Sequence, residues 1–217
     1  MGRLVRHIFW DWNGTIVDDA WLCVEVMNSL LEERNLPLLT LERYRRLFRF
    51  PVIDYYFDLG FDPVSDSFES LGPEFIRRYK AQQHRVKVRD GALEALDFFL
   101  SRGLPQSVLS ASHRDQLHRQ AEMLGIKDIF VDFVGRNDYL AEGKTALGRA
   151  WLKTKPLSPH EVILIGDTDH DASTAAALGL QCILLVDGHQ LEGTLSKTGA
   201  EVEQSPSDLV RRKWVLV

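Results

Sequence analysis

Asp11 closes the mostly apolar segment Val5 to Trp10, and Asn13, Gly14 and Thr15 follow it within four positions. Two later segments repeat this placement of polar residues after an apolar run: Ser110 and Ala111 follow Ser107 to Leu109, and Asp167 and Asp171 follow Val162 to Ile165. Lys144 opens a helical stretch just after a weaker run, Phe133 to Gly135. A carboxylate held at a strand end can attack phosphorus as a covalent nucleophile, dividing one difficult hydrolysis into two steps. Carboxylates and a phosphoryl group repel one another, so such a centre calls for a hard cation with oxygen ligands, of which magnesium is the usual one. On this chemistry Asp11 is the nucleophile, Asp11 and Asp167 give side-chain oxygens to Mg2+, Ser110 hydrogen-bonds a phosphoryl oxygen, and Lys144 neutralises charge. Gly14 leaves room for a tight turn. Each residue also has a plainer reading. Asp11 could merely end a strand, Asp167 and Asp171 could cap a helix, Ser110 could be a loop serine and Lys144 a solvated surface lysine.

The elements that would position these residues are legible in outline. Val5 to Trp10 reads as a short buried strand, and Asp18 or Asp19 as the cap of a helix running to about Arg34. From there to about Arg89 the patterns are helical: Thr40 caps a basic helix to Phe50, Pro51 suits the first turn of another, and Pro73 opens a fourth to about Gln83. After Asp90 helices alternate with apolar strands at 107–109, 133–135, 162–165 and 182–186. That alternation predicts an α/β fold, a doubly wound parallel sheet of roughly five strands covered on both faces. Residues 1–17 and 90–217 would form the catalytic core, with 18–89 an inserted α-helical cap. Open α/β sheets gather ligands at the carboxyl ends of their strands, where Asp11, Ser110 and Asp167 fall.

Composition narrows the partners. A formal net charge of -5 and a 45% hydrophobic content describe an ordinary globular chain and give no basic face for nucleic acid. No run reaches the apolar length of a membrane span, and the start lacks the pattern of a signal peptide, so a cytoplasmic protein acting on a small molecule is expected. Cys23 and Cys182 are far apart, without metal-ligand or disulfide spacing, and are expected to be reduced and buried.

Asp11-Trp12-Asn13-Gly14-Thr15 resembles the first motif of the haloacid dehalogenase superfamily, usually Asp-x-Asp-x-Thr or Asp-x-Asp-x-Val. Val108-Leu109-Ser110-Ala111-Ser112 is similar to its second motif, Lys144 in Glu142-Gly143-Lys144-Thr145 to its third, and Gly166-Asp167-Thr168-Asp169-His170-Asp171 to its fourth. Each motif alone is weak, but the four occur in order across essentially the whole chain. The nucleotide-binding loop that Gly143-Lys144-Thr145 could suggest needs a glycine at the position of Asp138, and is dropped. The resemblance implies a Mg2+-dependent phosphatase of phosphoglycolate phosphatase-like type acting on a small phosphorylated metabolite through an aspartyl-phosphate. It further implies that Asn13 offers its backbone carbonyl to the metal, that Asp171 acts directly or through water, and that the cap selects substrate. Arg45, Arg46 and Arg49, with Phe48, Phe50, Tyr55 and Tyr56, lie where a cap could meet an anionic substrate, although a solvated face and internal packing are their commoner uses.

One residue departs from the pattern. In phosphatases resembling this chain the third residue of the first motif is an Asp that serves as general acid and base, and here it is Asn13, which cannot exchange a proton in that way. Such assistance is worth about 10²- to 10⁴-fold, so its loss slows catalysis without abolishing it. Three outcomes are open: substrates with good leaving groups, a phosphonatase-like carbon–phosphorus hydrolase using a cap lysine such as Lys80 or Lys87, or a weakly active phosphate-binding protein.

Overall fold

A computed structural model describes residues 4–137 and 143–216; of the positions singled out above, Asp138 and Glu142 lie outside them. Its centre is a six-stranded, wholly parallel sheet. The strands are β1 (His7–Trp10), β2 (Gln106–His113), β3 (Asp132–Arg136), β4 (Val162–Gly166), β5 (Gln181–Leu185) and β6 (Glu201–Glu203). Their order is β3-β2-β1-β4-β5-β6, which puts β1 between β2 and β4.

All four β1 residues are buried because both faces of the strand are covered. Ile8 and Trp10 point into the larger core, where Trp10 meets Phe99, whereas Phe9 points the other way onto Trp151, Ala175 and Leu178. The two-residue side-chain period of a strand requires this division, and an apolar run without polar alternation is its signature.

Helices α1 (Ala20–Glu32), α2 (Leu41–Leu47), α3 (Val52–Asp58) and α4 (Phe68–Gln82) form the insert. The chain leaves and re-enters the core through a short antiparallel pair, Val17–Asp18 against Lys87–Val88. Thr40 caps α2 as expected, accepting from the Arg43 amide. Helix α4 begins five residues before Pro73, because burial of Leu71 and the packing of Phe68 against Tyr56 favour an earlier start than proline alone would mark. The core helices are α5 (Ala92–Leu100), α6 (Arg114–Met123), α7 (Lys144–Leu152) and α8 (Asp169–Leu178), with two further single turns near the end of the chain. The sixth strand corrects the expected count of about five. Glu201-Val202-Glu203 is a three-residue edge strand with no apolar run to announce it. Among the described residues no helix is long and apolar enough to cross a membrane. Both cysteines are free, Cys23 buried and Cys182 half-buried.

Candidate active site

Sheet register brings the first two carboxylates together. Trp10 pairs with Ile165, so Asp11 leaves β1 beside the end of β4, and its amide donates to the Ile165 carbonyl. Asp167 is the first residue after β4, and Asp171 lies in the first turn of α8. Asp11, Asp167 and Asp171 each place a carboxylate oxygen within 4.8 Å of the others. Lys144, the first residue of α7 and only 2% exposed, donates to Asp11 Oδ1 at 2.6 Å and also to Asp171 Oδ1. Four side chains from three separated segments of the chain therefore meet at one edge of the sheet.

Local structure explains why each group is held. Asp171 Oδ2 accepts from the Thr168 amide and hydroxyl at 3.1 and 2.8 Å, closing a capping box at the start of α8. Asp171 thus caps α8 with Oδ2 while Oδ1 faces Lys144. Asp167 accepts from the Thr15 hydroxyl at 2.8 Å and the His189 amide at 2.7 Å. Gly14 has φ +72°, and a Cβ there would lie 2.3 Å from Asp167 Oδ2, so both the backbone conformation and the space require glycine. Arg89 fixes the same loop by donating to the Gly14 carbonyl at 2.8 Å and to that of Val186.

The electrostatics follow from burying three acids around one base. Burial pushes the Asp11 carboxyl up to about 7, with Asp171 and Asp167 adding to the rise and Lys144 opposing it. Asp167 is raised for the same reason, His189 opposing. Asp171 stays below the usual carboxylate range, because Lys144 and Thr168 outweigh its burial. Lys144 is held above the usual lysine range by Asp11 and Asp171 despite burial, so it is a cation. The donor set, three clustered carboxylates, is hard and oxygen-only, and it carries more negative charge than Lys144 can balance. That is the chemistry a magnesium ion fits.

Ser110 and Ala111 sit where β2 departs from its register with β3, between Leu109 and His113. Ser110 is buried and its hydroxyl accepts from the Ser112 amide, whereas Ala111 is exposed. Asn13 belongs to the Asp11 loop, but its side chain turns to the insert: the amide donates to Asp19 Oδ2 at 2.6 Å and to the Tyr79 hydroxyl at 3.2 Å, and its oxygen accepts from Ser112 at 3.2 Å. The arginines of the insert have other partners. Arg45 donates to the carbonyls of Asp187 and Gly188, Arg46 pairs with Glu42 and Arg49 with Asp58. Tyr44, Phe48, Tyr55 and His189 pack as one aromatic cluster, Tyr56 adjoins Tyr55, and Phe50 stacks on His170. Lys87 is exposed and Lys80 half-buried.

Sequence reasoning missed Asp19, Tyr79 and His189. Asp19 occupies the cap position of α1, yet its side chain makes no capping bond and turns to Asn13, Tyr79 and the Gly14 amide. The adjacent pair Asp18-Asp19 was the only local signal, and it spoke for a helix start. His189 follows β5 with no motif around it; Asp19, Asp167 and Asp11 overcome its burial and push it up to about 9.

Comparison with known proteins agrees with the fold. The profile of the haloacid dehalogenase-like hydrolases matches residues 8–185. The phosphoglycolate phosphatase of Chromobacterium violaceum is 27% identical over 203 residues, covering 88% of this chain and 89% of its own. That of Rhodobacter capsulatus is 22% identical, covering 84% and 85%. A haloacid dehalogenase-like hydrolase from Streptococcus pneumoniae superposes with a TM-score of 0.81 at 21% identity, over 95% of this chain and 97% of that one. CbbY from Rhodobacter sphaeroides, solved with xylulose-(1,5)bisphosphate, superposes with a TM-score of 0.72 at 17% identity, over 94% and 96%.

Proposed function

Since the chain belongs to the haloacid dehalogenase-like hydrolases, we propose that it hydrolyses a small phosphorylated metabolite through a phosphoryl group carried on Asp11. The observation that carries this reading is the bridge of Lys144 between Asp11 and Asp171, beside Asp167. Asp11 Oδ attacks phosphorus, the ester P–O bond breaks, and the leaving oxygen departs as an alkoxide that takes its proton from solvent; water then attacks the acyl phosphate, releasing inorganic phosphate, which keeps the water's protons, and restoring the carboxylate. Lys144 keeps Asp11 oriented and neutralises charge that gathers on the transferred group. Ser110 and the Ala111 amide would bind phosphoryl oxygens. Asp11, Asp167, Asp171 and the Asn13 carbonyl would hold Mg2+, which when bound screens the carboxylates and phosphoryl oxygens from one another. Residues 18–89 would form the cap that closes over substrate, with the core in 1–17 and 90–217.

The phosphoglycolate phosphatases among the relatives and the bisphosphate in the CbbY complex support a compact, anionic phosphate ester as substrate class. Asn13 supplies no proton to the leaving group, which favours substrates with good leaving groups, such as acyl phosphates. The test is phosphate release over a panel of phosphorylated metabolites with and without magnesium, beside Asp11→Asn. Magnesium-dependent release lost in the variant is the expected result. Release that survives in Asp11→Asn removes the assigned nucleophile, and phosphate binding without any release points to a binding protein.

A further inference from the structure

Asp19 is fully buried, and its polar contacts join the Asp11 loop, the insert and His189 of the core. Its Oδ1 accepts from the Gly14 amide at 2.9 Å and faces His189 Nε2 at 3.5 Å. Its Oδ2 accepts from Asn13 Nδ2 at 2.6 Å and from the Tyr79 hydroxyl at 2.7 Å. Tyr79 in turn accepts from Asn13 and from Gln120, whose side-chain oxygen holds Trp12 Nε1 at 2.6 Å. Both amide hydrogens of Asn13 are thereby used on the side of the insert. A carboxylate at position 13 has no hydrogen to give either partner, and it would face the fully buried Asp19 carboxylate at hydrogen-bond distance.

We propose that Asp19 is a positioning residue that makes amide chemistry obligatory at position 13: Asn13 and Asp19 are one unit in which the site's extra carboxylate stands behind the catalytic loop instead of on it. The proposal rests on the phosphohydrolase reading and deepens it. Asn13 is held by Asp19 and Tyr79 as a neutral spacer between nucleophile and insert, and simple replacement by a carboxylic acid leaves its one proton shared with Asp19 instead of presented to a leaving group. Exchanging the two side chains can, because an amide at position 19 would donate to a carboxylate at position 13 along the same 2.6 Å vector that Asn13 now uses towards Asp19.

The experiment is a double-mutant cycle of Asn13→Asp, Asp19→Asn and both together, read by thermal melting and by kcat and KM on an aryl and an alkyl phosphate. Asn13→Asp is expected to melt below wild type and to lose about 10-fold or more in kcat on either substrate. The double variant is expected to recover the melting temperature and to gain about 10-fold over wild type on the alkyl phosphate, whose poor leaving group needs an acid, with little gain on the aryl phosphate. That selectivity would not arise from a merely structural role. The inference is overturned if Asn13→Asp alone is as stable and as active as wild type, or if the double variant is no better than Asn13→Asp. Should Asn13→Asp fail to fold, a folded double variant with the alkyl-selective gain is the expected result, and an unfolded double variant overturns the inference. Failure of the underlying phosphohydrolase reading shows separately, as release that survives in Asp11→Asn.

Discussion

Replacing Lys144 by Met keeps the length and apolar stem of the side chain and removes its charge, at a position 2% exposed where the ammonium meets Asp11 at 2.6 Å and also meets Asp171. Three carboxylates would then share a buried site with their central cation gone. Breaking a buried ion pair by removing one partner costs about 3–5 kcal/mol, because the remaining charge is left uncompensated. For a chain of this size that is a fall of roughly 6–20 °C in melting temperature, at about 2–4 °C per kcal/mol. Activity should fall on the order of 10²-fold or more, since the group that neutralises the transferred charge is absent. The assay is paired: melting in chelator and in magnesium, and phosphate release at saturating magnesium. Magnesium should restore part of the lost melting temperature but little of the lost rate, because the cation balances the carboxylates without replacing the ammonium that neutralises the transferred group. A variant that melts with wild type in chelator and retains kcat within about 3-fold would refute the placement of Lys144 as the site's internal counter-charge.

Chelation of the wild-type protein should abolish phosphate release, and magnesium at about 100 times its dissociation constant should add about 2.7 kcal/mol of stability, read as a rise in melting temperature. Gly14→Ala forces a Cβ to within 2.3 Å of Asp167 Oδ2 at φ +72°; a loss of more than about 1 kcal/mol and about 10-fold in kcat is expected, measured by melting and steady-state kinetics. Burial holds His7 down to about 4, from an ordinary value of 6.5, while its Nε2 is bonded to the Ser107 hydroxyl. The unfolded chain takes up the proton first, so this contribution is intact above pH 6.5 and falls by up to about 3 kcal/mol as pH drops towards 4. Denaturant midpoints across that range should be flatter in His7→Gln than in wild type.

The order of chemistry along the chain was readable because it rides on strong local signals. The apolar residues Ile8 to Trp10 before Asp11 and the run Val162 to Ile165 before Asp167 announce buried parallel strands, and residues just past such strands must lie at one edge of the sheet. Lys144 was legible only through its place in that order, since nothing around it says that it is buried. What stayed hidden depends on direction in space. Asp19 has the residue type of a helix cap and stands at the cap position, but whether its carboxylate turns to α1 or to Asn13 is decided by Tyr79, 60 residues away, and by His189 beyond it. The arginines of α2 show the converse: their type suggests an anion, whereas Arg45 instead ties the insert to the carbonyls at Asp187 and Gly188. Glu201–Glu203 joins the sheet through backbone pairing with β5, which side-chain pattern does not record.

Asp11 is proposed to carry the phosphoryl group during turnover. Acid-quenching the enzyme during turnover of a substrate that releases phosphate, followed by peptide mapping, should find the phosphoryl group on the peptide containing Asp11, in magnesium but not in chelator. Turnover with no phosphoryl group on Asp11, or with it on another residue, would rule out Asp11 as the nucleophile.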